Sequence, residues 1–264
     1  MARFWIVVLF AAVAAGCSTL PAVPAAARAQ LAPSGTLRAA INFGNPILAA
    51  RAADGSAQGV SVDLARELGR RLGVAVELVP YQAAGRVVEG VKTLAWDLAF
   101  VAIDPLRGNE IDYSAAYVVI EGAYLVRQDS SIRSNAEIDR PGIRVAAARG
   151  SAYDLFLSRE LRQARIVHVA TSPAVTDTFV AQNLDAAAGV RQQLEADARR
   201  FPGLRLLDGR FMVINQAMGV PKGRPEGLDY LRTFVEEMKS SGFVAGALER
   251  HQIKGAAVAP ASGN

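Results

Sequence analysis

Cysteine is almost missing from this chain of 264 residues, with Cys17 its single member. No intrachain disulfide and no cysteine metal cluster can therefore form. Histidine is nearly as scarce. His168 and His251 lie far apart in sequence, which gives no metal-ligand spacing, so neither a metal nor a cofactor is expected. Charge of either sign is not in large surplus. The formal net charge is +4 and is dispersed, whereas nucleic-acid binding needs a basic stripe, so nucleic acid is not an expected partner. Long apolar runs are also missing beyond the N-terminal region, and none of the rest of the chain reads as a membrane span.

The exception runs from Phe4 to Ala15, behind the lone cation Arg3. It is too short for a folded anchor and has the form of the apolar core of a secretory signal, so export to the periplasm is expected. Two processing sites compete. Ala27-Arg28-Ala29 before Gln30 is a small-x-small cleavage site, which makes residues 1–29 the signal peptide. Alternatively, Val13-Ala14-Ala15-Gly16-Cys17 has the form of a lipobox, with Cys17 as a lipid-bearing terminus and the Ala- and Pro-rich stretch from Ser18 to Gln30 as a tether. Cleavage after Ala29 removes Arg3 and Arg28 and leaves a remainder near +2, long enough for two lobes of ordinary domain size.

From Gly35 onward, strand-like and helix-like segments alternate. Thr36 to Asn42 reads as a strand. Ser61 to Leu72 reads as a helix with Leu64, Leu68 and Leu72 on one face, Ser61 as its N-cap and Gly73 as its stop. Strands are predicted at Val74 to Val79 and Asp97 to Ile103, flanking a helix from Gly85 to Leu94. This βαβαβ order implies a parallel sheet with right-handed crossovers. A second series follows Glu121. It has strands at 123–126, 143–148, 166–170 and 185–188, a capping-box spacing from Ser151 to Asp154, a strand at 211–220 and an amphipathic helix carrying Leu228, Leu231, Phe234, Val235 and Met238. The C-terminal residues 255–264 are expected to be disordered.

Arg107 is the most informative residue for chemistry. It stands just past the apolar run ending at Ile103, seven residues before Ser114, where open α/β sheets bind ligands. A guanidinium offers a planar fork of donors matched to a carboxylate. The alternative is a solvated loop arginine paired with Glu110 or Asp112, a kind of contact that contributes little.

In their order, Gly35-Thr36-Leu37-Arg38, Asp54-Gly55, Gly59 to Ala65, Trp96-Asp97, Arg107 with Tyr113-Ser114, Gly142-Ile143-Arg144-Val145, Arg149-Gly150-Ser151, Leu184-Asp185-Ala186 and Met218 to Gly223 resemble the family 3 extracytoplasmic solute-binding proteins, over roughly Gly35 to Gly255. These are the receptors of polar amino-acid ABC importers. The resemblance implies a two-lobed periplasmic-binding-protein fold (type II, α/β), each lobe a mixed, mostly parallel sheet flanked by helices, joined by two hinge strands. By that resemblance lobe 1 comprises residues 35–119 plus 218–254, and lobe 2 residues 120–217, with crossovers near Val119 to Gly122 and Asn215 to Ala217. It further implies a monomeric, non-catalytic receptor that takes a small carboxylate-bearing ligand and delivers it to an inner-membrane ABC permease.

The family's carboxylate-holding arginine falls on Arg107, with backbone donors expected near Ser151 and Ala152 at a helix start. The ammonium half departs from the family pattern. Where an aspartate usually follows the Asp-Ala pair, this chain has Val190 and then Arg191, and the first strand ends in Asn42-Phe43-Gly44-Asn45 without an acid. A buried ammonium would lack its partner. The candidate ligand-binding set is therefore Arg107, Asn42, Phe43, Asn45, Ala102, Asp104, Glu121, Ser151, Ala152 and Arg191. Phe43 is a candidate wall, Asp104 a replacement polar contact, Glu121 an alternative acid at the hinge and Arg191 a partner for a second ligand carboxylate. Two other functions stay open. One is a dehydratase acting on a cyclic carboxylate through Glu121 or Asp104, and the other is a sensor that signals to a membrane partner by the same closure.

Overall fold

The computed structural model describes residues 22–263. The apolar run and Cys17 lie outside the described residues. Along the chain the elements are α1 (Ala25–Leu31), β1 (Thr36–Asn42), the short hairpin β2 (Ala50–Arg51) and β3 (Ala57–Gln58), α2 (Val60–Leu72), β4 (Ala75–Tyr81), α3 (Ala84–Val91) and β5 (Leu98–Ala102). Next come the long strand β6 (Ile111–Arg127), β7 (Arg144–Ala148), α4 (Ala152–Glu160), β8 (Arg165–Val169), α5 (Val175–Ala181), β9 (Ala186–Val190) and α6 (Arg191–Arg200). The chain ends with β10 (Leu204–Leu206), β11 (Met212–Pro221), α7 (Pro225–Ser240), α8 (Phe243–Arg250) and β12 (Ala257–Val258).

Two parallel sheets are fused into one. β4, β1 and β5 pair in parallel at one end and β8, β7 and β9 at the other, while antiparallel β11 and β6 lie between them. β6 is long enough to serve both halves: its first part pairs with β11 next to β5, and Gly122 to Leu125 pair with β9. β11 returns alongside it, with register shifts around Gln216 and Ala217. These two strands carry the chain between the lobes, and the mixed α/β two-lobed fold is the one the sequence implies.

Local chemistry explains the elements that flank the cleft. β5 is buried along its whole length, as a strand covered by helices on both faces must be. α2 packs Leu64, Leu68 and Leu72 into the core and stops at Gly73, which takes the left-handed conformation. Its start differs from expectation. Gly59, not Ser61, occupies the cap at φ 123°, because a Cβ there would lie 2.4 Å from the Leu48 carbonyl oxygen. The Ser61 hydroxyl instead meets the Tyr117 hydroxyl at 3.2 Å.

Both ends of the described residues are more ordered than expected. The tail beyond residue 255 is not disordered through residue 263: β12 pairs with Val118 and Val119 of β6, Ala259 is buried, and the Ala259 N–H donates to the Tyr117 carbonyl. Local composition gave no sign of this, because an exposed strand edge supplies the order. α1 spans the Ala29–Gln30 junction expected to be the cleavage point. Ala27 and Leu31 are buried against the fold, Gln30 accepts from the Gly227 N–H at 2.9 Å, and Arg224 donates to the Gln30 carbonyl at 2.8 Å. Among the described residues no helix is long and apolar enough to cross a membrane.

Candidate functional site

Past β5 the chain turns sharply. The Asp104 carboxylate accepts from the Leu106 N–H at 2.9 Å and the Asp104 carbonyl from the Gly108 N–H at 3.0 Å, which sets a single 3-10 turn over Arg107–Asn109. That turn sends the Arg107 side chain inward, where the residue is only 2% exposed. Its guanidinium donates to the Ala102 carbonyl at 2.9 Å and to the Gly150 carbonyl, on the opposite lobe, at 2.8 Å. Its Nε–H is buried and has no partner. Desolvation depresses the Arg107 pKa, with Tyr113 and Asp104 opposing the shift. Tyr113, close by, is pushed up to about 12, chiefly by its own burial.

Facing it is the turn into α4. Ser151 caps the helix by accepting from the Asp154 N–H at 3.0 Å, the capping-box contact expected from the sequence. Asp154 in turn accepts from the Gly150 N–H at 2.7 Å and contacts His168 Nε2 at 2.9 Å, which ties the loop to β8. The Ser151 N–H is used by the Ala148 carbonyl, so the free first-turn donors are those of Ala152 and Tyr153, not Ser151. Their position favours an anion.

The lobes meet closely here. Gly150 stands at φ 70°, and a Cβ on it would come within 2.9 Å of the Gly85 Cα across the cleft. Arg159 of α4 reaches Asp104 at 2.9 Å, a second bridge between the lobes. Between them lies a cavity of about 40 Å³, lined by Asn42, Gly44, Asn45, Ala84, Val101, Ala102 and Arg107 from one side, Ser151, Ala152, Tyr153, Ser172 and Val190 from the other, and Ile214 and Gln216 from the hinge strand β11. A roomier groove of about 490 Å³ runs along α7 beside the start of α1, among Val23, Arg71, Tyr230 and Phe234. It is remote from the strand ends where this architecture gathers polar groups.

Of the expected residues, Arg107, Asn42, Asn45, Ala102, Ser151 and Ala152 come together around the cavity. Four do not line it. Phe43 packs on the core with the Arg51 guanidinium 4.6 Å from its ring centroid. Asp104 is held by Arg159 and its own turn. Glu121 and Arg191 pair with each other at 2.8 Å, and Glu121 also takes Arg210 at 2.8 Å. Neither is free for a ligand, because these opposite charges on neighbouring strand and helix satisfy one another at the hinge. The Arg210 hydrogen bond has the largest influence on the Glu121 pKa and lowers it; desolvation opposes that, and the Arg191 hydrogen bond adds to the lowering.

Gly44, Ala84, Val101, Tyr153, Ser172, Val190, Ile214 and Gln216 complete the lining without having been expected there as ligand contacts. The sequence marks Val190 only by the acid it replaces. Gln216, 6% exposed, had a usable signal: with Asn215 it forms a polar pair between the apolar stretches Met212 to Ile214 and Ala217 to Val220 at the second crossover.

Residues 37–252 match the model for bacterial extracellular solute-binding proteins, family 3. No curated protein matches the chain. Among solved structures, the solute receptor for L-cysteine of Neisseria gonorrhoeae superposes with a TM-score of 0.76 at 21% identity, covering 86% of this chain and 94% of the receptor. A mutant of ArgBP from T. maritima superposes at 0.74 and 21% identity, covering 86% and 99%. An ancestral amino acid-binding protein, described as a precursor of cyclohexadienyl dehydratase, superposes at 0.72 and 22% identity, covering 84% and 97%.

Proposed function

Because the chain belongs to the bacterial extracellular solute-binding proteins of family 3, we propose that it captures a small carboxylate-bearing solute between its lobes and hands it to an inner-membrane ABC permease. The observation that carries this reading is Arg107. It is buried, bridges from its own lobe to the Gly150 carbonyl of the other, and keeps an unpartnered Nε–H beside the cavity. Two of its five N–H groups are on carbonyls, so three remain for an anion. The free N–H groups at the start of α4 supply the matching half from the second lobe. A ligand that touches both lobes favours the closed arrangement by its differential affinity for it.

Binding in this reading is reversible and without turnover. A dehydratase would need an acid or base within reach of the substrate, and neither candidate lines the cavity, Glu121 being held by Arg191 and Arg210 and Asp104 by Arg159. Processing upstream of α1, with Cys17 as the lipidated terminus, fits the packing of Ala27 and Leu31 better than a cut after Ala29, which would divide a docked helix. Mass spectrometry of the exported protein reads this directly; a terminus at Gln30 would overturn it.

The receptor reading is tested by thermal shift of the purified protein with mono- and dicarboxylates, amino acids and aromatic acids, alongside Arg107→Ala. Saturation at a hundred times Kd stabilises by about 2.7 kcal/mol. A shift with carboxylates that the variant abolishes is the expected outcome. A variant whose Kd stays within twofold of the parent would remove Arg107 from the site.

A further inference from the structure

The charge inventory of the cavity is one-sided. Among the described residues that line it, Arg107 is the only charged side chain, and there is no aspartate or glutamate. The two acids that lie within two residues of the lining residues Ala102, Ala152 and Tyr153 are already engaged: Asp154 by the Gly150 N–H and His168, and Asp104 by Arg159 and the Leu106 N–H. Val190 contributes an apolar surface at the end of β9. A bound monoanion brings this enclosure to neutrality. A bound zwitterion leaves it with a net positive charge, its ammonium unpaired and sharing a small cavity with a guanidinium.

The remaining polar groups are neutral. Asn42 Oδ1 is occupied by the Gly44 N–H at 3.0 Å, and Ser172 Oγ accepts from the Tyr153 hydroxyl at 2.8 Å. Asn45 Oδ1 is buried with no donor facing it, and Gln216 brings a carboxamide from β11. A buried acceptor without a partner calls for a donor. A ligand hydroxyl answers that need without adding charge. The cavity, about 40 Å³, is small, which favours a ligand with a short carbon skeleton.

We infer that the solute is a small 2-hydroxy monocarboxylate: its carboxylate sits on Arg107 and the start of α4, its hydroxyl donates to Asn45, and Val190 and Ile214 flank its carbon skeleton. This rests on the receptor reading above and narrows its ligand class. The cavity selects by what it lacks, since an amine of the same skeleton finds no counter-charge.

The test is calorimetric titration of the purified protein with matched sets: lactate, alanine and propionate on a three-carbon skeleton, glycolate and glycine on two. The hydroxy acid is expected to bind at least tenfold more tightly than the amino acid of its skeleton, and several-fold more tightly than propionate. Val190→Asp, which adds a carboxylate to the lining, is expected to narrow or reverse the preference for lactate over alanine. Alanine binding as well as lactate to the unaltered protein overturns the inference while leaving the receptor reading intact. Propionate matching lactate overturns the assignment of the hydroxyl. If no acid of either class binds, and Arg107→Ala alters nothing in the wider carboxylate screen, the receptor reading falls and this inference with it.

Discussion

The two lobes use the same device with different consequences. In lobe 1, Arg38 on β1 and Asp97 just before β5 tie neighbouring parallel strands together: the Arg38 backbone N–H and Nε both reach Asp97 Oδ2, at 3.3 and 2.9 Å. In lobe 2, Arg144 on β7 and Asp185 just before β9 repeat the pattern at 2.8 and 3.3 Å. Asp97 is fully buried and also receives Arg224, which in turn holds the Gln30 carbonyl of α1. The Asp185 side chain is 34% exposed and Arg144 is 43% exposed. One sequence motif thus becomes a hub joining two strands, α1 and the start of α7 in one lobe, and a partly solvated staple in the other. The teaching is that burial, not the pair itself, sets the energy.

Replacing Asp97 breaks this contrast most severely. Asp97→Asn leaves Arg38 and Arg224 facing a neutral group in a dry site, and a loss of about 3 kcal/mol is expected, read as a lower urea midpoint at unchanged m. Next in size is Gly150→Ala, which tests the contact between the lobes rather than either lobe's interior. Its Cβ would meet the Gly85 backbone at 2.9 Å in a left-handed conformation. Ligand affinity should fall about tenfold, or about 1.4 kcal/mol, and small-angle scattering with ligand present should show a more open molecule. An unchanged Kd would mean that closure does not bring these glycines together.

Asp185→Asn sharpens the comparison from the weak side. With both partners partly solvated, a cost below about 1 kcal/mol is expected, and a cost equal to that of Asp97→Asn would refute the burial argument. The smallest effect is at the hinge. The Glu121 pKa is lowered in the folded protein by Arg210 first and then Arg191. Its contribution is therefore full above the ordinary glutamate value of about 4.3 and is lost as pH falls through the lower folded value. Glu121→Gln should cost about 0.5 kcal/mol at pH 7, since these cations are partly exposed. The variant and parent should converge at acid pH; a gap that widens on acidification would contradict the assignment.

Legibility in the sequence followed the range of the interaction. β1 was read to the residue, Thr36 to Asn42, and the Ser151–Asp154 cap was read from a three-residue spacing, because both depend on neighbours in the chain. α1 was missed. Its Ala-rich stretch resembles a tether, and its order comes from Gln30 docking on Gly227, 197 residues away. β12 was missed for the same kind of reason, since it is held by an open edge of β6. Glu121 and Arg191 were each expected to face a ligand. The sequence held both charges but no indication that they stand 2.8 Å apart.

By itself the sequence determined the alternation of strands and helices, the position of Arg107 at a strand end and the want of an acid near Val190, because hydrophobic period, turn residues and residue identity are local properties. The tertiary structure decided which charges cancel and which remain. The crossing of β6 and β11 brings Gln216 and Ile214 to Arg107, and the approach of Gly150 to Gly85 narrows the space between the lobes. Electrostatic pairing and desolvation depend on distances of a few ångströms between groups a hundred residues apart, and only the folded chain sets those distances.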